Sequence, residues 1–228
     1  MKLNKKAVFF DLDHTLWDFE KNSALTFKEL FSKYNISVCF DSFLEQYVPI
    51  NIEYWKLFRD NEITREELRY GRFRKAFDSV GYIIEDETIC LLSEDYIECL
   101  PKYNHLYEGT IEVLEYLKTK YTLHIITNGF DKVQEGKLRN ANIHHYFTTI
   151  TNSENAGCKK PDARIFEYAL QTAKADRETS IMIGDCIEAD VQGAINYGMD
   201  AIYFNEHRVE VCSTISQIHS LLQLKELL

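Results

Sequence analysis

The sequence has no Gly/Ser-rich linker, no internal repeat and only three prolines among its 228 residues, which argues against modules joined by a flexible tether. Long apolar runs are absent as well, and none approaches the roughly 20 residues that a helix needs to cross a bilayer. The basic start of the chain is followed by an apolar run that Asp11 and Asp13 interrupt, too early for the core of a signal peptide. We therefore expect no membrane insertion and a cytoplasmic location.

Paired cysteines and an excess of basic residues are also missing. The six cysteines include no CxxC pair and no zinc-binding spacing, so we expect reduced thiols. Asp and Glu number 36 against 26 Lys and Arg, and the formal charge of −10 argues against a nucleic acid polymer or an anionic membrane as partner. A small anionic substrate stays possible because a bound metal and one well-placed lysine can dominate inside a pocket.

Short apolar runs alternate with segments of helical periodicity. Five runs predict buried strands: 7–10, 123–126, 148–151, 180–183 and 201–204. Four segments predict helices: 110–118, 132–140, 162–174 and 187–197. Strands that alternate with helices predict an α/β fold with a parallel sheet.

The stretch from Trp17 to Leu100 breaks this alternation, because helical periodicity runs through all of it. It predicts an all-helical cap inserted at residues 17–100, with the catalytic core formed by residues 1–16 and 101–228. Four aromatic residues near the cap entrance could stack a nucleobase, although such residues more often belong to a core: Trp17, Phe19, Tyr54 and Trp55.

Two carboxylates follow the first predicted strand directly. Asp11 and Asp13 stand two residues apart, with Thr15 next. Acids this close repel each other unless a cation or a shared proton lies between them, and Mg²⁺ prefers such oxygen ligands. A solvated acidic loop is the alternative.

Polar residues also follow the second predicted strand and precede a later helix. Thr127-Asn128-Gly129 offers a hydroxyl, an amide and flexible backbone for phosphoryl oxygens, although Asn-Gly is also a common turn. In Lys159-Lys160-Pro161, a lysine could neutralise a nucleophile and a transferring phosphoryl group. The periodicity does not decide which lysine does so, and a solvated basic loop is the alternative.

A third acidic position follows the fourth predicted strand, where Gly184-Asp185 could complete the acidic cluster. Asp190 lies just inside the next helix, where it could equally be a capping residue. Parallel sheets gather functional groups at the carboxyl ends of their strands. The ordered set therefore predicts one site for phosphoryl transfer.

These four motifs, which read DLDHT, TNG, KKP and GDCIEAD, closely resemble those of the haloacid dehalogenase (HAD) superfamily. The resemblance covers essentially the whole chain and implies a Rossmann-like parallel sheet core with a helical cap. It also implies that Asp11 is the nucleophile, forming an aspartyl phosphate, and that Asp13 is the general acid and base.

The resemblance further implies the roles of the remaining motif residues. Thr127, Asn128 and Gly129 would bind phosphoryl oxygens, and Lys160 would neutralise Asp11 and the phosphate. Mg²⁺ would be held by the Asp11 carboxylate, the Asp13 main-chain carbonyl and Asp185, with Asp190 orienting Lys160 or metal-bound water. Dehalogenases of the superfamily need no acid at the place of Asp13, so the resemblance implies a phosphatase or phosphomutase. One departure is Ala163, where many relatives have a second proline.

Among the capped members, the chain resembles the YjjG-like pyrimidine 5′-nucleotidases, through ITNGF at 126–130, NEIT at 61–64 with Arg72-Phe73, and DVQGAINYGM at 190–199. Nucleoside 5′-monophosphates are therefore the expected substrates, with sugar phosphates or phosphoglycolate as the alternative. A phosphorylation-switched signalling module is the alternative of another class, but such a receiver has no use for a cap or for Asp13. The sequence leaves the oligomeric state open.

Overall fold

The computed structural model describes residues 5–228, so the first four residues of the predicted catalytic core lie outside the described residues. The chain forms two compact units. One consists of the described residues up to Phe19 together with Asn104–Leu228, and the other of Glu20–Tyr103.

The first unit is built on a six-stranded sheet with the order β3-β2-β1-β4-β5-β6, and all neighbouring strands are parallel. The strands are β1 (Ala7–Phe10), β2 (Thr122–Thr127), β3 (Thr149–Asn152), β4 (Ser180–Gly184), β5 (Asp200–Phe204) and β6 (Gln217–Ile218). The predicted parallel α/β sheet is confirmed. The sequence reasoning missed β6, because two residues are too few to show a period.

The central strands β1 and β4 are buried along their whole length, as expected where helices cover both faces of a parallel sheet. All four residues of β1 are buried, and so are all five of β4. Phe9 of β1 and Met182 of β4 pack in one core with Ile165, Phe166 and Ala169, which lie on one side of a helix. This burial keeps the strand ends, and the polar residues that follow them, in a fixed register.

Helices form in all four predicted segments of this unit, and two short helices that the periodicity did not predict accompany them. They are α5 (Thr110–Leu117), α6 (Asp131–Asn140), α7 (Ser153–Ala156), α8 (Ala163–Ala173), α9 (Gly193–Tyr197) and α10 (Leu224–Leu227). A π-helical segment, Ile187–Gln192, precedes α9 and joins it to the end of β4 through Asp185 and Cys186.

All regular structure described in the second unit is helical, as predicted for the cap. Its main helices are α1 (Phe19–Lys33, of which the first residue belongs to the other unit), α2 (Phe40–Arg59), α3 (Arg65–Ser79) and α4 (Asp86–Cys99). Their interior is rich in aromatic rings, with Phe27 in contact with Phe43, Tyr47, Phe73 and Tyr96. Large rings bury much apolar surface each, which helps a unit of this size to form its own core.

Among the described residues, none of the helices has the length and apolar character that a bilayer crossing requires.

Candidate active site

The carboxyl ends of three neighbouring strands bring the predicted motifs together. β1 lies between β2 and β4, with Phe10 level with Ile125 on one side and Ile183 on the other. The main chain of Asp11 continues the ladder, and its N–H donates to the Ile183 carbonyl at 2.9 Å. Residues that follow the three strands therefore lie together at the carboxyl ends of these strands.

Lys160 lies among the residues at these strand ends. Its ammonium is 2.5 Å from Asp11 Oδ1 and 2.6 Å from Asp190 Oδ1, and it donates to the Ile126 carbonyl at 2.7 Å. Lys160, Asp11 and Asp190 are all buried. The structure thus brings together residues that are 149 and 30 positions apart, and it identifies Lys160 as the lysine that contacts Asp11.

The charges of this buried group influence one another. Burial alone would lower the pKa of Lys160, but the carboxylates of Asp11 and Asp190 outweigh it and raise that pKa, so the ammonium stays charged. Burial also raises the pKa of Asp11, and the nearby carboxylates of Asp190 and Asp185 add to this, whereas Lys160 opposes it. The pKa of Asp11 is therefore raised well above its usual range, and further positive charge nearby would lower it.

Asp185 completes the acidic cluster. Thr15 Oγ1 donates to Asp185 Oδ1 at 3.1 Å, and burial together with the charge of Asp190 raises the pKa of Asp185 to about 8. Carboxylate oxygens of Asp11, Asp185 and Asp190 all lie within 4.8 Å of one another.

This donor set fits a divalent cation. When all three carboxylates are ionised, they exceed the single ammonium of Lys160 by two negative charges, which is the charge that Mg²⁺ would balance. The donors are all carboxylate oxygens, the ligand type that Mg²⁺ prefers. Asp11 and Asp185 could hold the ion with the Asp13 main-chain carbonyl, while Asp190 is engaged by Lys160.

One glycine and one amide shape this site. The side chain of Asn128 clamps the backbone of Lys160: its Oδ1 accepts from Lys160 N at 2.8 Å, and its Nδ2 donates to Lys160 O at 3.0 Å. The side chain of Asn128 is thus engaged by the backbone of Lys160. A Cβ on Gly184 would lie 2.3 Å from Asp190 Oδ2, so only glycine lets Asp190 approach the end of β4.

The Asp13 carboxylate is held by two residues of α6. Lys137 Nζ lies 2.6 Å from Asp13 Oδ1, and Gln134 Nε2 donates to Asp13 Oδ2 at 2.9 Å. The same Gln134 amide donates to Thr127 Oγ1 at 2.8 Å. The structure therefore connects Asp13 to the end of β2, and its carboxylate takes no part in the acidic cluster.

Sequence reasoning missed Gln134 and Lys137, although α6 carries a signal that could have revealed them. The buried residues of this helix are Val133, Gln134, Lys137 and Leu138. Two polar residues thus occupy positions where the helical period expects apolar ones. A buried lysine or glutamine requires a partner, and its identity depends on the tertiary structure.

The predicted base-stacking aromatic residues divide into two groups. Trp17 and Phe19 are buried, and their rings lie 4.5 and 5.3 Å from Lys137 Nζ. Both rings contact Lys137, which agrees with the interpretation that these two aromatic residues belong to a core. Tyr54 and Trp55 belong to the helical unit and are half-buried.

The chain is similar to known proteins over most of its length. The family model of haloacid dehalogenase-like hydrolases matches residues 8–204. Pyrimidine 5′-nucleotidase YjjG of Escherichia coli is 30% identical over 95% of this chain and 96% of its own. Glyceraldehyde 3-phosphate phosphatase of Methanothermobacter thermautotrophicus is 32% identical over 98% of this chain and 99% of its own.

A solved structure shows the same fold over nearly the whole length. The magnesium-bound HAD-hydrolase YfnB of Bacillus subtilis matches with a TM-score of 0.88 and 28% identity, covering 97% of both chains. The family that the four motifs predict is confirmed, since the matched region contains all of them. This chain belongs to the haloacid dehalogenase-like hydrolases.

Proposed function

We propose that this protein is a magnesium-dependent phosphatase that cleaves small phosphate monoesters through an aspartyl phosphate on Asp11. The observation that supports this most strongly is the contact of Asp11 with Lys160 at 2.5 Å, in a cluster that also holds Asp185 and Asp190. The Asp11 carboxylate can attack phosphorus as a nucleophile. The fixed ammonium of Lys160 beside it would stabilise the negative charge of the phosphate group as the two anions approach each other.

The first half of the reaction transfers the phosphoryl group to the protein. An Asp11 carboxylate oxygen forms a bond to phosphorus while the bond from phosphorus to the ester oxygen breaks. The Asp13 carboxyl gives its proton to the departing oxygen, so an alcohol leaves. Lys160 stays charged throughout, because Asp11 and Asp190 raise its pKa, and it balances the negative charge near Asp11.

The second half releases phosphate. A water oxygen forms a bond to phosphorus as the bond to Asp11 breaks, and Asp13, now ionised, takes the proton of that water. Both residues then have the protonation that they had before the cycle, and the products are an alcohol and inorganic phosphate.

The end of β2 provides donors for the phosphoryl oxygens. Thr127 Oγ1 accepts hydrogen bonds from Gly129 N at 3.1 Å and from Gln134 Nε2 at 2.8 Å. Because a hydroxyl has two acceptor lone pairs, its own proton is left for a phosphoryl oxygen. The main chain of Asn128 and Gly129 adds flexible backbone beside it.

When bound, Mg²⁺ would withdraw charge from the phosphoryl oxygens, and Asp11, Asp185 and the Asp13 main-chain carbonyl would hold it. The pKa of Asp185 supports this assignment, because burial and the charge of Asp190 raise it to about 8, and a bound cation would offset both effects. The hydrogen-bond partner described for the Asp185 side chain is an uncharged hydroxyl, that of Thr15.

As substrates we propose nucleoside 5′-monophosphates, in the first place those with a pyrimidine base. The similarity to pyrimidine 5′-nucleotidase YjjG over nearly the full length of both chains supports this class. The equally complete similarity to a glyceraldehyde 3-phosphate phosphatase supports sugar or triose phosphates as the second candidate.

The mechanism is tested with p-nitrophenyl phosphate. Asp11→Asn removes the nucleophile, and we expect kcat to fall at least about 10³-fold. Asp176→Asn is the matched control, because Asp176 is exposed and lies outside the site. EDTA should abolish activity and added Mg²⁺ should restore it. Full activity of Asp11→Asn, or of the EDTA-treated protein, would refute the mechanism.

The substrate class is tested by comparing kcat/KM across a panel of phosphate esters. The panel contains UMP, CMP, TMP, AMP, glyceraldehyde 3-phosphate and phosphoglycolate. We expect the pyrimidine nucleotides to have the highest values. A preference for glyceraldehyde 3-phosphate would replace the nucleotidase by the second candidate.

A further inference from the structure

Lys137 is a buried cation that the reaction scheme above does not use. Its side chain is 3% exposed, and its ammonium lies 2.6 Å from Asp13 Oδ1. The rings of Trp17 and Phe19 contact the same ammonium, at 4.5 and 5.3 Å from their centres. Aromatic faces attract a cation, so these contacts hold the Lys137 ammonium in one place.

Gln134 holds the other oxygen of the same carboxylate. Its Nε2 donates to Asp13 Oδ2 at 2.9 Å and to Thr127 Oγ1 at 2.8 Å, which uses both of its N–H bonds. Gln134 is itself buried. A Cβ on Gly129 would lie 2.5 Å from Gln134 Cδ, so the glycine after Asn128 makes room for this bridge.

The two donors come from one rigid element. Gln134 and Lys137 are three residues apart on α6, and side chains at this spacing lie on the same face of a helix. One donor binds each oxygen of Asp13, so rotation of the carboxylate would break both contacts. A carboxylate has about four acceptor sites, and at least two remain for a leaving oxygen or a water.

On the basis of the phosphatase activity proposed above, we propose that Lys137 and Gln134 are positioning residues for Asp13. They fix the orientation in which its carboxyl gives a proton to the leaving oxygen and later accepts one from water. Gln134 also ties this orientation to Thr127, so the proton donor and the phosphoryl-binding hydroxyl keep a constant separation. Proton transfer depends on such alignment, and a displacement of 1 Å can cost about 10²-fold in rate.

The test compares Lys137→Met with Lys137→Arg on two kinds of ester. A p-nitrophenolate ion leaves without a proton, so the first half of the reaction does not need Asp13, whereas the second half does. An alkyl phosphate, such as the best nucleotide of the panel, needs Asp13 in both halves. Asp13→Asn is the reference, and Lys132→Met is the matched control, because Lys132 is exposed on the same helix.

For Lys137→Met on the alkyl phosphate, we expect kcat to fall about 10- to 100-fold and KM to change less than about threefold. On p-nitrophenyl phosphate, we expect rapid release of one p-nitrophenolate per protein molecule, followed by slow turnover. Asp13→Asn should show the same burst. Lys137→Arg keeps the charge and should recover part of the lost rate, and Lys132→Met should behave as the parent.

A folded Lys137→Met protein with the parent kcat would overturn the inference, and so would an equal loss on both esters without a burst. If Lys137→Met does not fold, Gln134→Met, which removes the other donor to Asp13, is judged by the same criteria. An inactive Asp11→Asn combined with a parent-like Lys137→Met would refute the positioning role alone. An active Asp11→Asn would refute the proposed mechanism and this role with it.

Discussion

His124 makes the stability of the sheet unit depend on pH. It lies in the middle of β2 with its side chain fully buried, stacked on Phe9 with ring centres 4.7 Å apart. Its Nδ1 is 2.8 Å from Thr149 Oγ1, and its Nε2 is buried and has no hydrogen-bond partner among the described residues. A protonated ring would therefore place an unpaired charge in the core, and burial lowers the pKa of His124 to about 4.

The magnitude follows from linkage between protonation and folding. In the unfolded chain the ring titrates near 6.5, so between pH 6.5 and about 4 the unfolded state binds a proton that the folded state excludes. The neutral ring's contribution is fully present above pH 6.5 and is lost as the pH falls to about 4. Each pKa unit corresponds to about 1.4 kcal/mol, so the loss reaches about 3 kcal/mol.

Urea unfolding from pH 7.5 to 4, followed by circular dichroism, measures this loss against a His124→Phe variant. Phenylalanine keeps a ring on Phe9 but cannot be protonated. Because the same carboxylates titrate in both proteins, the difference between their unfolding free energies isolates His124. This difference should shift by about 3 kcal/mol in favour of the variant as the pH falls. The exposed His207→Gln should follow the parent. Parallel pH profiles of parent and His124→Phe would refute the reasoning.

Two further substitutions test buried charges. Lys160→Met leaves Asp11 and Asp190 without their cation. We expect it to abolish phosphatase activity and to lower the free energy of unfolding, measured in urea, by about 3 to 5 kcal/mol. An unchanged free energy of unfolding would contradict the buried pairing. Arg72 of the helical unit is buried without a carboxylate partner among the described residues, bonded to Asn51 Oδ1 at 2.8 Å. Arg72→Met should therefore leave the free energy of unfolding unchanged within about 1 kcal/mol or raise it. A decrease of about 3 kcal/mol would show instead that the charge of Arg72 stabilises this unit.

Much of the site in the sheet unit was predictable from the alternation of strand and helix patterns and from the rule that residues after parallel strands lie close together. Short apolar runs alternating with helical segments predict parallel strands, and parallel strands place the residues that follow them at one edge. Asp11, Thr127 and Asp185 each follow such a run directly, so their proximity could be predicted even though up to 174 positions separate them. The catalytic roles of these residues stay predictions that the experiments above address.

The sequence by itself determined the acid pair, the polar residues at the strand ends and the helical insert, since each depends on neighbours within a few positions. Periodicity left open which lysine contacts Asp11, and the family resemblance implied Lys160. The tertiary structure shows this contact, and the clamp of Asn128 on the Lys160 backbone joins segments 32 residues apart. It alone also showed that α6 supplies Asp13 with two buried donors, Gln134 and Lys137. Helical periodicity states which face of α6 is buried, but the partner of a buried polar group depends on what packs against that face. The acidic pair that opens the site thus divides in the fold: Asp11 joins Lys160 and the carboxylate cluster, and Asp13 joins the helix after Gly129.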